Sequence, residues 1–279
     1  MPSRNLPIIS RLAILCGGFE AQFGWVFFGF GMIFFWIFFM NSSIVYMFSF
    51  GEWDTVTGKV AKIEQTNASI NNTSVYEYFY EYNVNGTNYT GSAHTTGYAY
   101  QLNELVEIEY NPDNPSESRM GGARKGLFGW EVIFVVIFPL VGLIFILYSF
   151  RQNIKSVDLL INGRFTHGKL IKTEPTNVTI NKQPVYKYTF RFEAHDGKTY
   201  EAVGKTHIYS LLTDEKNERL IYAPNDPSYA TMYDSIPSAP KLNEDGTLGP
   251  MPLSGYGNLI LPLISIFFHG GYYLIRYVL

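Results

Sequence analysis

The sequence of 279 residues predicts a membrane protein in which three transmembrane helices alternate with two copies of a small antiparallel β-barrel or sandwich domain, SH3-like or OB-like in size. Three observations predict it. The stretch Thr66–Tyr89 (TNASINNTSVYEYFYEYNVNGTNY) is written again as Thr176–Tyr200 (TNVTINKQPVYKYTFRFEAHDGKTY), and internal duplication sets architecture before any local reading. Each copy places aromatic residues at every second position and then reaches a tight-turn dipeptide, the pattern of a half-buried hairpin strand. Only 16% of the residues are charged, against roughly 25% in ordinary soluble domains. The deficit falls in three runs, each longer than the roughly 20 residues that cross the hydrocarbon of a bilayer.

Taken in order, residues 1–22 form an N-terminal segment suited to the membrane interface, with Arg4 and Arg11 flanking a short apolar stretch. Cys16 is the sole cysteine. It is preceded by Leu15, too large for a lipoprotein cleavage site, so the first helix is expected to stay as an anchor. A sole cysteine excludes intrachain disulfides, zinc–thiolate sites and Cys-x-x-Cys redox chemistry. The first span, 23–50, has no charge, and its tail from Asn41 is expected to leave the bilayer. The first β-domain covers 52–122. The second span, 127–150, carries Glu131 alone. An insertion at 151–165 has no counterpart in the first half, and its Val157, Leu159, Leu160 and Ile161 predict a short amphipathic segment against the membrane. The second β-domain covers 166–235. Residues 236–254 hold four prolines and two glycines and read as a linker. The third span, 256–279, carries Arg276 alone and is weakened by Pro262 and Gly270-Gly271.

Within the first β-domain, Tyr76, Tyr78, Tyr80, Tyr82 and Val84 share one face of an extended chain, with Val75, Glu77, Phe79, Glu81 and Asn83 on the other. In the second, Tyr186, Tyr188, Phe190, Phe192 and Ala194 alternate with Lys187, Thr189, Arg191 and Glu193. Asn85-Gly86 and Asp196-Gly197 supply the positive-φ residues of the hairpin turns. A strand before each hairpin, a strand after it, a proline-bracketed turn and a last short strand bring each domain to five strands.

Gly58-Lys59-Val60, the hairpin pattern Tyr78-x-Tyr80-x-Tyr82-x-x-Asn85-Gly86-x-x-Tyr89 and Tyr110-x-Pro-x-x-Pro-Ser116 resemble the DUF3592-type family, largely bacterial β-domains of unknown function tethered to transmembrane helices. The resemblance covers about 58–120 and 168–232 as two tandem copies. It implies a multi-pass protein of a bacterial cell membrane, the inner membrane, and no chemistry, because that family offers no catalytic residues to carry over.

A catalytic site inherited by duplication would leave titratable groups at matched positions. The matches are few: Lys59/Lys169, Lys62/Lys172, Glu64/Glu174, Asn67/Asn177 and Asn71/Asn181. His94, His167 and His207 face Lys205, Thr57 and Thr96 in the other copy and read as solvated loop residues. No catalytic, cofactor or metal site is therefore expected. Glu131 and His269 are the polar groups inside the spans, and His269 is read as a helix-packing residue. The outward hairpin positions differ in sign, Glu77 against Lys187 and Glu81 against Arg191, and form the candidate interaction surface. The expected partners are the lipid bilayer and another membrane or envelope protein or a second copy, with no nucleic acid. The leading expectation is a non-enzymatic interaction or scaffold module at the cell envelope. The alternatives are a membrane enzyme or sensor with a site between domain and membrane, or a small transport-accessory subunit.

Lysine and arginine counts near the span ends favour a cytoplasmic N-terminus, and three single crossings then put the β-domains on opposite sides. With Cys16 replaced and single cysteines at Thr87 or Lys198, an impermeant thiol reagent on intact cells is expected to label Thr87→Cys alone. Labelling of both places the domains on one side, the arrangement that docking of one on the other requires.

Overall fold

The computed structural model describes residues 3–44, 52–180, 182–206, 217–243 and 246–279. The end of the expected first span (45–50), Asn181 and His207 lie outside the described residues. Contacts divide the chain into two compact units, Phe30–Leu140 and Met1–Gly29 with Val141–Leu279.

In the unit Phe30–Leu140, five antiparallel strands, β1 (Asp54–Ile70), β2 (Thr73–Val84), β3 (Thr87–Thr96), β4 (Leu105–Asn111) and β5 (Asn114–Met120), form one sheet in the order β3-β2-β1-β4-β5. The long β1 is its centre, pairing with β2 from Gly58 to Ile70 and with β4 from Asp54 to Lys59. After β5 the chain bends at Gly121-Gly122, and Arg124 pairs with His94 of β3 through both backbone bonds (2.6 and 2.9 Å), which brings the two edges together. The sheet is thereby nearly a barrel.

Its interior follows the alternation of β2. Tyr78, Tyr80, Tyr82 and Val84 are buried and pack with Val60, Ala93, Val106, Ile108 and Met120, and Tyr76 packs against the cluster from its margin. Buried hydroxyls need partners, and each of these three rings finds one. The Tyr80 hydroxyl and Ser118 Oγ are 3.0 Å apart, the Tyr82 hydroxyl donates to the Pro115 carbonyl, and the Tyr78 hydroxyl accepts the Ala99 N–H at 2.8 Å. Burial pushes the Tyr80 phenol up to about 12, so the ring stays neutral and remains a hydrogen-bonding group. The alternation fails at Val75, expected on the outer face but fully buried; in the second hairpin Val185 at the same position is buried, and so is the outward Thr189. Each hairpin strand thus enters its sheet covered on both faces.

The unit holding 1–29 and 141–279 contains β6 (Arg164–Ile180), β7 (Gln183–Glu193), β8 (Thr199–Thr206), β9 (Glu218–Ala223) and β10 (Asp226–Met232) in the order β10-β9-β6-β7-β8, the same connectivity as the first sheet. Even the irregularities repeat. Register shifts fall between Val60 and Lys62 and between Gln65 and Ser69 in β1, and between Leu170 and Lys172 and between Pro175 and Thr179 in β6. Tyr188, Phe190, Phe192 and Ala194 fill the interior with Ala202, Leu220, Tyr222 and Met232.

The same unit has a second core that the sequence reading divided among three separate pieces. Leu6 and Ile14, around helix α1 (Ile8–Leu15), pack with Leu159, Leu160, Ile221, Tyr233 and Ile236. The N-terminal segment packs one side on protein: Leu6, Ala13 and Ile14 are buried and Arg4 donates to the carbonyls of Leu160 and Gly163, while Ile8, Ile9 and Leu12 stay exposed. Two expectations are corrected here. The insertion 151–165 is not a separate amphipathic segment. Helix α3 (Ile137–Asn162) runs through it without a break, because no glycine or proline interrupts 151–162, and Leu159 and Leu160 face this core. Residues 236–243 and 246–254 are structured as well. Leu242 and Leu248 bridge to each other and pack on the same cluster, Ile236 and Met251 are buried, and the Tyr233 hydroxyl donates to the Pro240 carbonyl.

Among the described residues, three helical stretches are long and apolar enough to cross a membrane: Phe19–Phe39, Trp130–Asn162 and Leu253–Tyr277. Helix α2 (Phe19–Phe34) starts before the expected Phe23, with Glu20 in its first turn, where the positive end of the helix accepts a carboxylate. A π-turn over Phe35–Phe39 ends it, and the Asn41 side chain donates to the carbonyls of Trp36 and Ile37. The last stretch consists of α4 (Leu253–Gly257) and α5 (Ile260–Tyr277). Small residues set the approach of the helices: a Cβ on Gly24 would lie 2.9 Å from the Gly142 carbonyl of α3, and one on Gly29 would lie 2.7 Å from Ser265 Oγ of α5. The His269 imidazole bonds the Gly29 carbonyl at 2.9 Å, so it joins α5 to α2.

Glycine is also needed beside Tyr80, where a Cβ on Gly91 would come 2.5 Å from the ring. Gly91→Ala is expected to cost about 1–3 kcal/mol through overpacking, read as a lower urea midpoint in tyrosine fluorescence. Gly257→Ala, with nothing within 4 Å of the added carbon, should leave the midpoint in place. Equal shifts would contradict the packed interior described here.

Candidate functional site

The outward faces of the two sheets are built from matched positions, so their chemistry can be compared residue by residue. On β1, Lys62 pairs with Glu64 at 2.6 Å, and on β6 Lys172 pairs with Glu174 at 2.8 Å. Glu77 of β2 stands directly opposite Glu64, whereas Lys187 of β7 stands opposite Glu174. The second sheet therefore has a charge triad, Lys172–Glu174–Lys187, with Lys187 Nζ 4.0 Å from Glu174. The hydrogen bond from Lys172, helped by the charges of Lys172 and Lys187, holds the Glu174 carboxyl below its ordinary range. In the first sheet the same place holds two facing carboxylates and one lysine, and like charges opposite one another across strands repel.

The second inverted pair behaves differently. Glu81 is exposed and stands opposite Lys59 and Thr90. Arg191 stands opposite Lys169 and forms an exposed ion pair with Glu201 at 3.2 Å. The structure thus places Glu77 and Glu81 on one strand of the first sheet, and Lys187 and Arg191 on the matching strand of the second. Lys187 and Arg191 are engaged by carboxylates of their own sheet, and exposed pairs of this kind contribute only about 0–1 kcal/mol.

A residue that sequence reasoning misplaced lies beside Glu77. His94 is on β3, half-buried, opposite Glu77 across the ladder, and is not a solvated loop residue. Its backbone holds Arg124 at the seam that joins the sheet edges. Its Nδ1 lies 3.2 Å from the Lys125 carbonyl, a contact that requires Nδ1 to carry the hydrogen and donate. Nε2 faces Glu77 Oε1 at 3.8 Å. Burial lowers the His94 pKa below its ordinary value, and Glu77 only partly offsets this. Burial also lowers Lys125, and Arg124 Nε is buried without a hydrogen-bond partner while Nη1 donates to Thr96 Oγ1 at 2.9 Å. The pairing of β3 with 124 spans some thirty residues, and no local pattern announces it. His167, by contrast, is exposed on β6.

Among the described residues, no group of three or more His, Cys, Asp or Glu side chains is placed to hold a metal ion.

Because the neutral form of His94 is the one the fold accommodates, protonation opposes folding. The unfolded side chain titrates near 6.5, so its contribution is present above that pH and is lost as pH falls below it. An imidazole NMR titration is expected to give His94 a pKa below 6.5, and Glu77→Gln is expected to lower it further. A value above 6.5 would mean that the ion pair, not burial, governs the seam.

Residues 56–124 match the family described as "Domain of unknown function (DUF3592)". The matched stretch runs from β1 through β5 to the Arg124 seam, so it coincides with the first sheet as a closed structural piece. No curated protein matches the chain.

Proposed function

We propose that this chain is a multi-pass membrane protein of a bacterial envelope whose two sheet domains, both of the DUF3592 type, serve as a non-enzymatic interaction or scaffold module. The observation that carries this reading is the division of labour within one strand. In β2 and β7 the inward positions are aromatic in both domains and fill the interior, while the outward positions change sign, Glu77 and Glu81 against Lys187 and Arg191. A buried interior kept alike and an outer face made unlike suit two copies of one scaffold presented to different surfaces. The chain as a whole supports the contrast: residues 52–125 carry five basic and ten acidic residues, and residues 151–255 carry thirteen basic and twelve acidic.

The second copy of the domain type rests on shared strand order and shared irregularities, not on a second family match. Joined edge to edge, the order β1-β2-β3-β5-β4 is the connectivity of an OB-type barrel, and we assign both domains to it. Membrane spanning rests on the three apolar helices and on packing by glycine, serine and histidine between them. His269 holds the Gly29 carbonyl in that packing, so it supports a structural role over a transport path.

A photo-crosslinking residue at Glu81 or Arg191 tests the reading. Each is expected to capture one reproducible protein partner in intact cells, different for the two positions, while Glu81→Arg abolishes capture at the neighbouring Asn83. Identical background at both positions, with the domains folded, would remove the interaction reading.

A further inference from the structure

In the unit that holds the second sheet, a cavity of about 700 Å³ lies between the start of α2, the middle of α3 and the strands β8 and β10. Glu20, Tyr148, Gln152, Asn153, Lys155 and Tyr229 give it its chemistry. Its floor is already satisfied. Asn153 is buried, and its amide donates to the Leu15 and Gly17 carbonyls and to Ser149 Oγ at 3.3, 3.0 and 3.2 Å. The walls are not. Glu20 and Lys155 form no ion pair with any described residue, although one offers a carboxylate and the other an ammonium. Lys155 Nζ instead sits over the Tyr229 ring, 5.2 Å from its centre, where the ring face steadies a cation.

The level of this cavity along the helices is informative. On α3 the residues from Ile137 to Phe150 carry no charge, and charged residues begin at Arg151, so Tyr148 to Ser156 straddle the change. On α2 the change falls at Glu20, the last charge before an uncharged run that continues past the helix to Phe39. Tyr148 is exposed at the rim, and a ring with one wet and one apolar end belongs at the boundary of a bilayer. A ligand there meets a cation and a carboxylate in one cavity, and apolar helix surface below it.

We infer that this cavity binds the headgroup of a zwitterionic aminophospholipid, with Lys155 holding the phosphate, Glu20 holding the ammonium and the acyl chains lying on the exposed helix faces. The inference rests on the reading that α2 and α3 span a bilayer. Lysine is a compact point charge suited to a phosphate, and a primary ammonium is the group that a carboxylate at this site recognises. Burial, with the nearby Asp158 charge, raises the Tyr229 phenol, so the ring beside Lys155 stays neutral. An anionic lipid would leave Glu20 facing like charge, so the carboxylate sets the preference.

The test is native mass spectrometry of the full chain, delipidated in detergent and offered phosphatidylethanolamine and phosphatidylglycerol in equal amounts. Wild-type protein is expected to retain one phosphatidylethanolamine at least fivefold over phosphatidylglycerol. Lys155→Ala is expected to lose both adducts at least fivefold, Lys155→Arg to keep them, and Glu20→Gln to lose the preference but not the binding. Lys241→Ala, outside the cavity, is the control. Equal retention by wild type, Lys155→Ala and Glu20→Gln would overturn the assignment. Soluble phosphoethanolamine bound as tightly as the diacyl lipid would overturn the membrane source of the ligand. Alkaline carbonate extraction of membranes reads the spanning question separately: release of wild-type protein counts against spanning, whereas carbonate resistance with no lipid preference counts against this site alone.

Discussion

A strand that buries tyrosine at every second position has to place each ring and also find a partner for each hydroxyl, and the rest of this structure depends on how it does so. Phenylalanine would need only volume. Tyr78, Tyr80 and Tyr82 also need the Ala99 N–H, Ser118 and the Pro115 carbonyl. Those partners lie on the loop after β3 and on β5, so the hydroxyls tie the hairpin to the two pieces of chain that close the sheet. An unpaired buried hydroxyl costs about 1–3 kcal/mol, a large part of the stability of a domain this small. The second sheet reduces that demand by using Phe190 and Phe192 at the equivalent places, and its Tyr222 hydroxyl accepts the His195 N–H at 3.1 Å.

Once the interior is fixed by aromatic packing, the outer face is free to vary, and the two domains show how far. Keeping Lys62–Glu64 and Lys172–Glu174 while changing Glu77 to Lys187 turns a repulsive carboxylate pair into a triad without altering the backbone register. The helices obey another rule. Where α2 meets α3 and α5, small residues at Gly24, Gly29 and Gly142 allow close approach, and the His269–Gly29 and Gln22–Asn258 bonds add polar links.

Much of this was legible in the sequence because the signals were local and periodic. A period of two marks a strand face, and Tyr78, Tyr80, Tyr82, Tyr188, Phe190 and Phe192 are buried where that period puts them. Asn85-Gly86 and Asp196-Gly197 mark turns for the same reason, with Asn85, Gly86 and Gly197 at positive φ. What escaped notice is assembled from distant pieces. The core of Leu6, Ile14, Leu159, Leu160, Tyr233 and Ile236 draws on the N-terminal segment, the end of α3 and the chain after β10, and each piece alone reads as a tail, an insertion or a linker. His94 was misplaced because its partners, Glu77 and the Arg124–Lys125 backbone, meet only when the sheet closes. The candidate surface was legible as charge inversion, but the carboxylates that engage Lys187 and Arg191 follow from register, which the sequence does not display.

The measurement that tests the account most directly is a saturation scan of positions 76–84 in the full chain, scored at once for protein abundance in membranes and for recovery of the crosslinked partner. The account predicts a period of two in opposite phase: substitutions at 78, 80, 82 and 84 reduce abundance, while those at 77, 81 and 83 spare abundance and reduce recovery. Loss of abundance at both sets alike, or recovery that follows abundance at every position, would contradict the claim that one strand carries the fold on its inner face and the interaction on its outer face.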